Sequence, residues 1–98
     1  MVRDRATLTV LAGPMPGSIL TLEAGQAMIL GRGEEATARI DDQGLSRQHA
    51  RIFPRRDAFY IEDLGSKNGT FVDGEAIHTP VVLHDGNRIQ IGQQVLLR

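Results

Sequence analysis

The sequence predicts an all-β domain, a sandwich or a barrel, and three observations carry that prediction. Apolar runs are short, the longest being Ala27-Met28-Ile29-Leu30. Several alternate with period two, as a half-buried strand does. Turn residues punctuate the chain every 8 to 12 residues or so, the spacing typical of sandwich and barrel strands. The one stretch of helix-forming composition, 33–39, is too short to matter.

Taken in order, Thr7-Leu8-Thr9-Val10-Leu11 alternates and predicts a strand over 7–11 with Leu8 and Val10 inward. Gly13-Pro14-Met15-Pro16-Gly17 breaks it. A second strand covers 18–22 and closes on the turn Glu23-Ala24-Gly25-Gln26. A third covers 27–30 and stops at Gly31. Residues 32–38 are small and polar and read as a loop. Arg39-Ile40 makes a very short strand before the turn Asp41-Asp42-Gln43-Gly44. Strands over 50–54 and 58–63 flank a turn at Arg55-Arg56-Asp57, with Ile52, Phe59 and Ile61 inward and Tyr60 and Glu62 outward. Pro54 cannot donate to a ladder, so it belongs at an edge or a strand end.

Gly65-Ser66-Lys67-Asn68-Gly69 is a strong loop signal. Beyond it, Phe71-Val72 and Glu75-Ala76-Ile77 flank Asp73-Gly74, a pair that favours the type I′ hairpin turn. Strands at 81–83, 88–91 and 95–97 complete the series, with a plain turn at Asp85-Gly86 and with Ile89 and Ile91 inward. That makes about eleven short strands in one all-β domain.

Composition narrows the function. The 98 residues suit one core. Eleven Lys and Arg against twelve Asp and Glu give a net charge of −1, which argues against holding nucleic acid by bulk charge. Three Phe and one Tyr leave little for base stacking. The absence of cysteine excludes disulfides, thiolate zinc sites and cysteine nucleophiles. No apolar run approaches membrane-spanning length, and the start, Met1-Val2-Arg3-Asp4-Arg5, opens no signal-peptide apolar region. The chain is therefore expected to be a cytoplasmic, monomeric piece of something larger, with no nucleic-acid or membrane partner.

Function should sit on loops held by such a scaffold. Three stand out: Gly31-Arg32, Ser46-Arg47-Gln48-His49 and Leu64-Gly65-Ser66-Lys67-Asn68-Gly69-Thr70. Each is rich in donors, and together they would make an anion site in a nearly neutral chain. A phosphate wants several charge-assisted donors converging on its oxygens. Other chemistries fit less well. Ser46 and His49 have no nucleophile elbow before them, so His49 is read as bracing the Ser46 loop rather than as a catalyst. His78 and His84 sit beside turn residues without ligand spacing and read as solvated. The 65–70 loop lacks the order Gly-x-x-x-x-Gly-Lys-Ser/Thr and a following helix, so nucleotide binding is not expected. Asn68-Gly69 reads as a tight turn that also aims the asparagine.

In this order and spacing the three loops resemble the forkhead-associated (FHA) domain family. Its pattern is Gly-Arg, then Ser-x-x-His, then Ser-x-Asn-Gly-Thr. Here those are Gly31-Arg32, Ser46-Arg47-Gln48-His49 and Ser66-Lys67-Asn68-Gly69-Thr70, followed by the similar segments Phe71-Val72-Asp73-Gly74 and 83–92. The resemblance spans residues 8–97 and implies an eleven-stranded β-sandwich whose loops at one end bind phosphothreonine peptides.

It also implies roles. Arg32 matches the arginine that grips the phosphate and Ser46 the serine that donates its hydroxyl. Arg47 and Lys67 stand where relatives often add a phosphate or peptide contact. Asn68 matches the asparagine that bonds the peptide backbone, while Gly31, His49 and Gly69 shape the loops. The implied partner is a phosphothreonine-bearing protein, or the parent chain itself, marked by an upstream Ser/Thr kinase. No catalytic residue, metal or cofactor is implied. The alternative is a phospho-independent assembly domain that uses the sheet faces or an edge strand. The arginine-rich composition, ten Arg to the single Lys67, fits a bacterial chain.

Overall fold

The alternating stretches become strands in the computed structural model, which describes residues 5–13, 16–23, 25–56, 58–92 and 95–97. They are β1 (Arg5–Ala12), β2 (Ile19–Glu23), β3 (Met28–Gly31), β4 (Ala38–Arg39), β5 (Ala50–Arg55), β6 (Ala58–Asp63), β7 (Thr70–Val72), β8 (Glu75–Ala76), β9 (Val81–Val82), β10 (Ile89–Ile91) and β11 (Val95–Leu97). The start at 1–4, and Pro14, Met15, Ala24 and Asp57 within expected turns, lie outside the described residues.

Two sheets form, in the orders β2-β1-β11-β10-β7-β8 and β4-β3-β5-β6-β9. Only the β3–β4 pair among the described strands is parallel. Alternation turns one face of each sheet inward. Leu8, Val10, Ile52, Phe59, Ile61, Ile89 and Ile91 are all buried there, as the period-two reading requires, together with Leu22, Met28, Leu30 and Ala50. Full burial of a side chain such as Ile61 or Ile91 contributes about 2 kcal/mol.

Differences from the sequence reading are small and have local causes. The short strand falls at Ala38–Arg39, one residue early, because Ala38 pairs with Leu30 and Arg39 with Gly31. Ile40 then turns into the core, its N–H on the Gly31 carbonyl at 2.8 Å. Pro54 lies within β5 but past Ile52, the last residue paired with β3, so one flank of the strand is open there. Asp73 and Gly74 have φ of 50° and 86°, the two positive values that a type I′ turn needs.

Antiparallel pairing sends the connections of interest to one end. Leu30 in β3 faces Ala50, Ala50 faces Asp63 at the end of β6, and Thr70 at the start of β7 faces Ile91. The segments 31–37, 41–49, 64–69 and Gly92 therefore emerge together.

Candidate functional site

Close approach of two backbones builds the first part of this end. The Arg32 N–H donates to the Ser46 carbonyl and the Gly33 N–H to the Arg47 carbonyl, both at 3.1 Å. A Cβ on Gly31 would lie 2.1 Å from the Arg47 carbonyl oxygen and 2.9 Å from that of Ser46. Both atoms are backbone, so only glycine permits the contact. Below the loop, Leu45 is buried and anchors 41–49 to the core, and its N–H donates to the Asp42 carbonyl at 3.0 Å.

His49 joins this loop to the next. Its side chain is fully buried. Nδ1 accepts the Ser46 N–H at 3.1 Å, so the ring proton sits on Nε2, which lies 2.7 Å from the Gly69 carbonyl and donates to it. The same carbonyl accepts the Gly92 N–H at 3.0 Å. Gly69, with φ of 88°, thereby ties both sheets together at this end.

The 64–69 loop is wound around Asp63. Its carboxylate accepts the Ser66 N–H at 3.0 Å, the Thr70 hydroxyl at 2.7 Å and the Ser66 hydroxyl. Ser66 Oγ in turn accepts the Gly69 N–H at 3.0 Å. Partial burial works to raise the Asp63 carboxyl, but the bonds from Ser66 and Thr70 outweigh it and hold the group below the ordinary aspartate value.

On this frame the exposed donors are set out. Arg32 gives its Nε–H to the Leu45 carbonyl at 2.8 Å, which aims the guanidinium beside Ser46 and leaves both Nη groups unpaired among the described residues. Ser46 Oγ accepts the Lys67 N–H at 3.0 Å and keeps its own proton available to donate. Asn68 Nδ2 donates to the Gly44 carbonyl at 2.8 Å, which fixes the amide while leaving Oδ1 and the second N–H unpaired among the described residues. Arg39 reaches the Arg32 carbonyl with Nε at 3.0 Å and adds a further cation to the rim.

Arg47 follows Ser46 on the same loop but, unlike these donors, has a carboxylate on its guanidinium. Its Nε and Nη2 hold the two carboxylate oxygens of Glu35 at 3.3 and 3.0 Å. That bond is the main reason the Glu35 carboxyl lies below, and the Arg47 guanidinium above, its usual range. A cavity of about 360 Å³, lined by Leu8, Phe59, Leu83 and Ile89 among others, opens at the opposite end of the sandwich, away from all these donors.

The structure thus brings Arg32, Ser46, Lys67 and Asn68 to one exposed surface and places Gly31, His49 and Gly69 beneath it. His78 and His84 are exposed elsewhere. Sequence reasoning missed Asp63, Glu35 and Arg39. Asp63 left a signal, a carboxylate three residues before Ser66 in a glycine loop, the spacing of a side-chain-to-backbone turn. Glu35 left none, since its partner lies 12 residues away.

The FHA domain model matches residues 28–92, the segment that carries all these loops. The chain belongs to the FHA domain family. This FHA domain is 37% identical over 89 residues to FhaB of Mycolicibacterium smegmatis, covering 91% of this chain and 57% of that protein. It superposes on the FHA domain of an Arabidopsis thaliana protein with a TM-score of 0.92 at 33% identity, covering 99% of this chain and 85% of the other. It also matches Mycobacterium tuberculosis EmbR, solved in complex with a low-affinity phosphopeptide, with a TM-score of 0.78 at 31% identity over 93% of this chain and 24% of EmbR. The chain spans little more than half the length of FhaB. No helix among the described residues is long and apolar enough to cross a membrane.

Proposed function

We propose that this FHA domain binds phosphothreonine, on a partner protein or on its own parent chain, as a module of cytoplasmic Ser/Thr-kinase signalling, and that it is a binder rather than an enzyme. One observation carries the reading. Arg32 is anchored through Nε so that its two Nη groups, unpaired among the described residues, lie next to the Ser46 hydroxyl, which donates to none of them. A guanidinium and a hydroxyl held side by side by backbone contacts suit a dianionic, three-oxygen ligand. Membership of the FHA family and the EmbR phosphopeptide complex support the same ligand class. Lys67 adds a cation at the rim, and the free Asn68 amide edge suits the peptide backbone beside the phosphate. A short peptide offers few contacts and loses freedom on binding, so affinity is expected near the micromolar range, about −8 kcal/mol.

The test is titration of one phosphothreonine peptide against wild type, Arg32→Ala, Asn68→Ala and Lys67→Ala at two salt concentrations. Charge-assisted bonds contribute about 1.5–3 kcal/mol each, so Arg32→Ala should weaken binding roughly ten- to a hundredfold while the domain stays folded. Asn68→Ala should weaken it by a similar factor whatever the flanking residues. Lys67→Ala should give a smaller loss that shrinks with salt, because its charge is solvated and screened. A folded Arg32→Ala variant that binds as wild type does would place the phosphate elsewhere.

A further inference from the structure

Arg47 stands beside Arg32 and Ser46, yet its guanidinium is already occupied. The edge formed by Nε and Nη2 holds both oxygens of Glu35, and that side-on edge is one of the two with which an arginine can take a phosphate bidentately. The arrangement follows from local backbone geometry. The Gly33 N–H is bonded to the Arg47 carbonyl, and the Ala36 N–H closes a turn on the Gly33 carbonyl, both at 3.1 Å. Gly33 itself lies directly under the pair. A Cβ there would meet Glu35 Oε1 at 2.6 Å and Arg47 Cβ at 2.8 Å. A missing side chain thus makes room for a carboxylate and a guanidinium to close over the loop that carries Arg32. The bridge is solvent-exposed, with side-chain exposures of 60% for Arg47 and 45% for Glu35. It can therefore open at small cost.

We propose that Glu35 is an internal competitor for the phosphate: it holds Arg47 in the unliganded domain, and phosphothreonine binding exchanges the Glu35 carboxylate for phosphate oxygens on the same guanidinium edge. The inference rests on the phosphothreonine reading of the site and makes Glu35 a determinant of its selectivity. A dianion with three oxygens outcompetes a single carboxylate, whereas a singly charged aspartate or glutamate side chain gains nothing over Glu35. The latch therefore raises the threshold against acidic, unphosphorylated peptides and lowers affinity for the correct ligand.

The test is a double-mutant cycle on the whole chain, with wild type, Glu35→Gln, Arg47→Ala and the double variant each titrated with one phosphothreonine peptide and its Thr→Asp counterpart. Glu35→Gln keeps the side-chain shape and removes the charge. It should tighten phosphopeptide binding about two- to fivefold at low salt, as releasing an exposed ion pair allows. It should tighten the aspartate peptide by at least the same factor, and in the Arg47→Ala background the gain should disappear. Tightening of equal size with and without Arg47 would mean that Glu35 acts by general repulsion, and would overturn the proposal. So would unchanged or weaker binding by Glu35→Gln. Failure of all four proteins to bind the phosphopeptide would overturn the phosphothreonine reading and the latch with it. Binding by wild type without a gain in Glu35→Gln would overturn the latch alone.

Discussion

His49 and Asp63 do for this domain what no surface residue can: each satisfies several polar groups that the loops would otherwise leave buried. Replacing His49 by Ala strips the Ser46 N–H of its partner, removes one of the two donors on the Gly69 carbonyl and leaves a void where the buried ring was. An unsatisfied buried group costs about 1–3 kcal/mol, so His49→Ala should lose roughly 2–4 kcal/mol of stability, measured by urea unfolding, and should bind phosphopeptide poorly even where it remains folded. Asp63 makes a prediction in pH. Its folded carboxyl is held below the ordinary value near 3.9, so its contribution is present above that value and lost as pH falls through the folded one. Asp63→Asn cannot accept the same set of bonds from Ser66 and Thr70 and should be less stable by about 2 kcal/mol at pH 7. The gap between Asp63→Asn and wild type should close as both are unfolded at successively lower pH below about 4. A gap that stays constant down to pH 2 would mean that the carboxylate is not the stabilising species.

At the scale of strands and loops, two glycines separate shape from recognition. Gly31 ends β3 against the Ser46 and Arg47 carbonyls, so Gly31→Ala must push the two loops apart. It should cost stability and also abolish most phosphopeptide affinity. Gly74 sits in the β7–β8 hairpin at the far end, with φ of 86° and open space where a Cβ would go. Gly74→Ala should cost only the left-handed backbone penalty, about 1 kcal/mol, with phosphopeptide affinity unchanged. Thermal unfolding and titration of both variants check the contrast. The strands themselves were legible in the sequence because alternation and turn chemistry are local: 7–11, 58–63 and the Asp73-Gly74 hairpin need no distant partner. The core role of Leu45 and the Arg47–Glu35 bridge were not legible, because each depends on which loops the folded sheets bring together. The family resemblance implies a phosphate or peptide contact for Arg47, yet only the folded loops reveal the carboxylate that holds it.

Across the whole molecule, Arg32, Arg39 and Lys67 share one end of a sandwich with several carboxylates, in a chain whose net charge is −1. Attraction for the ligand is therefore local and short-ranged, and binding should need the phosphate itself rather than general acidity. The outer face of β1 and β2 exposes Leu11 and Ile19, which gives a phosphate-independent contact a place to dock if the loops are not the binding surface. Calorimetric titration of the wild-type domain with one peptide in its phosphothreonine, unmodified threonine and aspartate forms, at pH 7.5 and pH 5, decides between them. The second phosphate ionisation lies near pH 6, so the phosphothreonine form should bind at micromolar affinity at the higher pH and more weakly at the lower. The unmodified and aspartate forms should bind at least tenfold more weakly at both. Equal affinity for all three forms, indifferent to pH, would contradict the account.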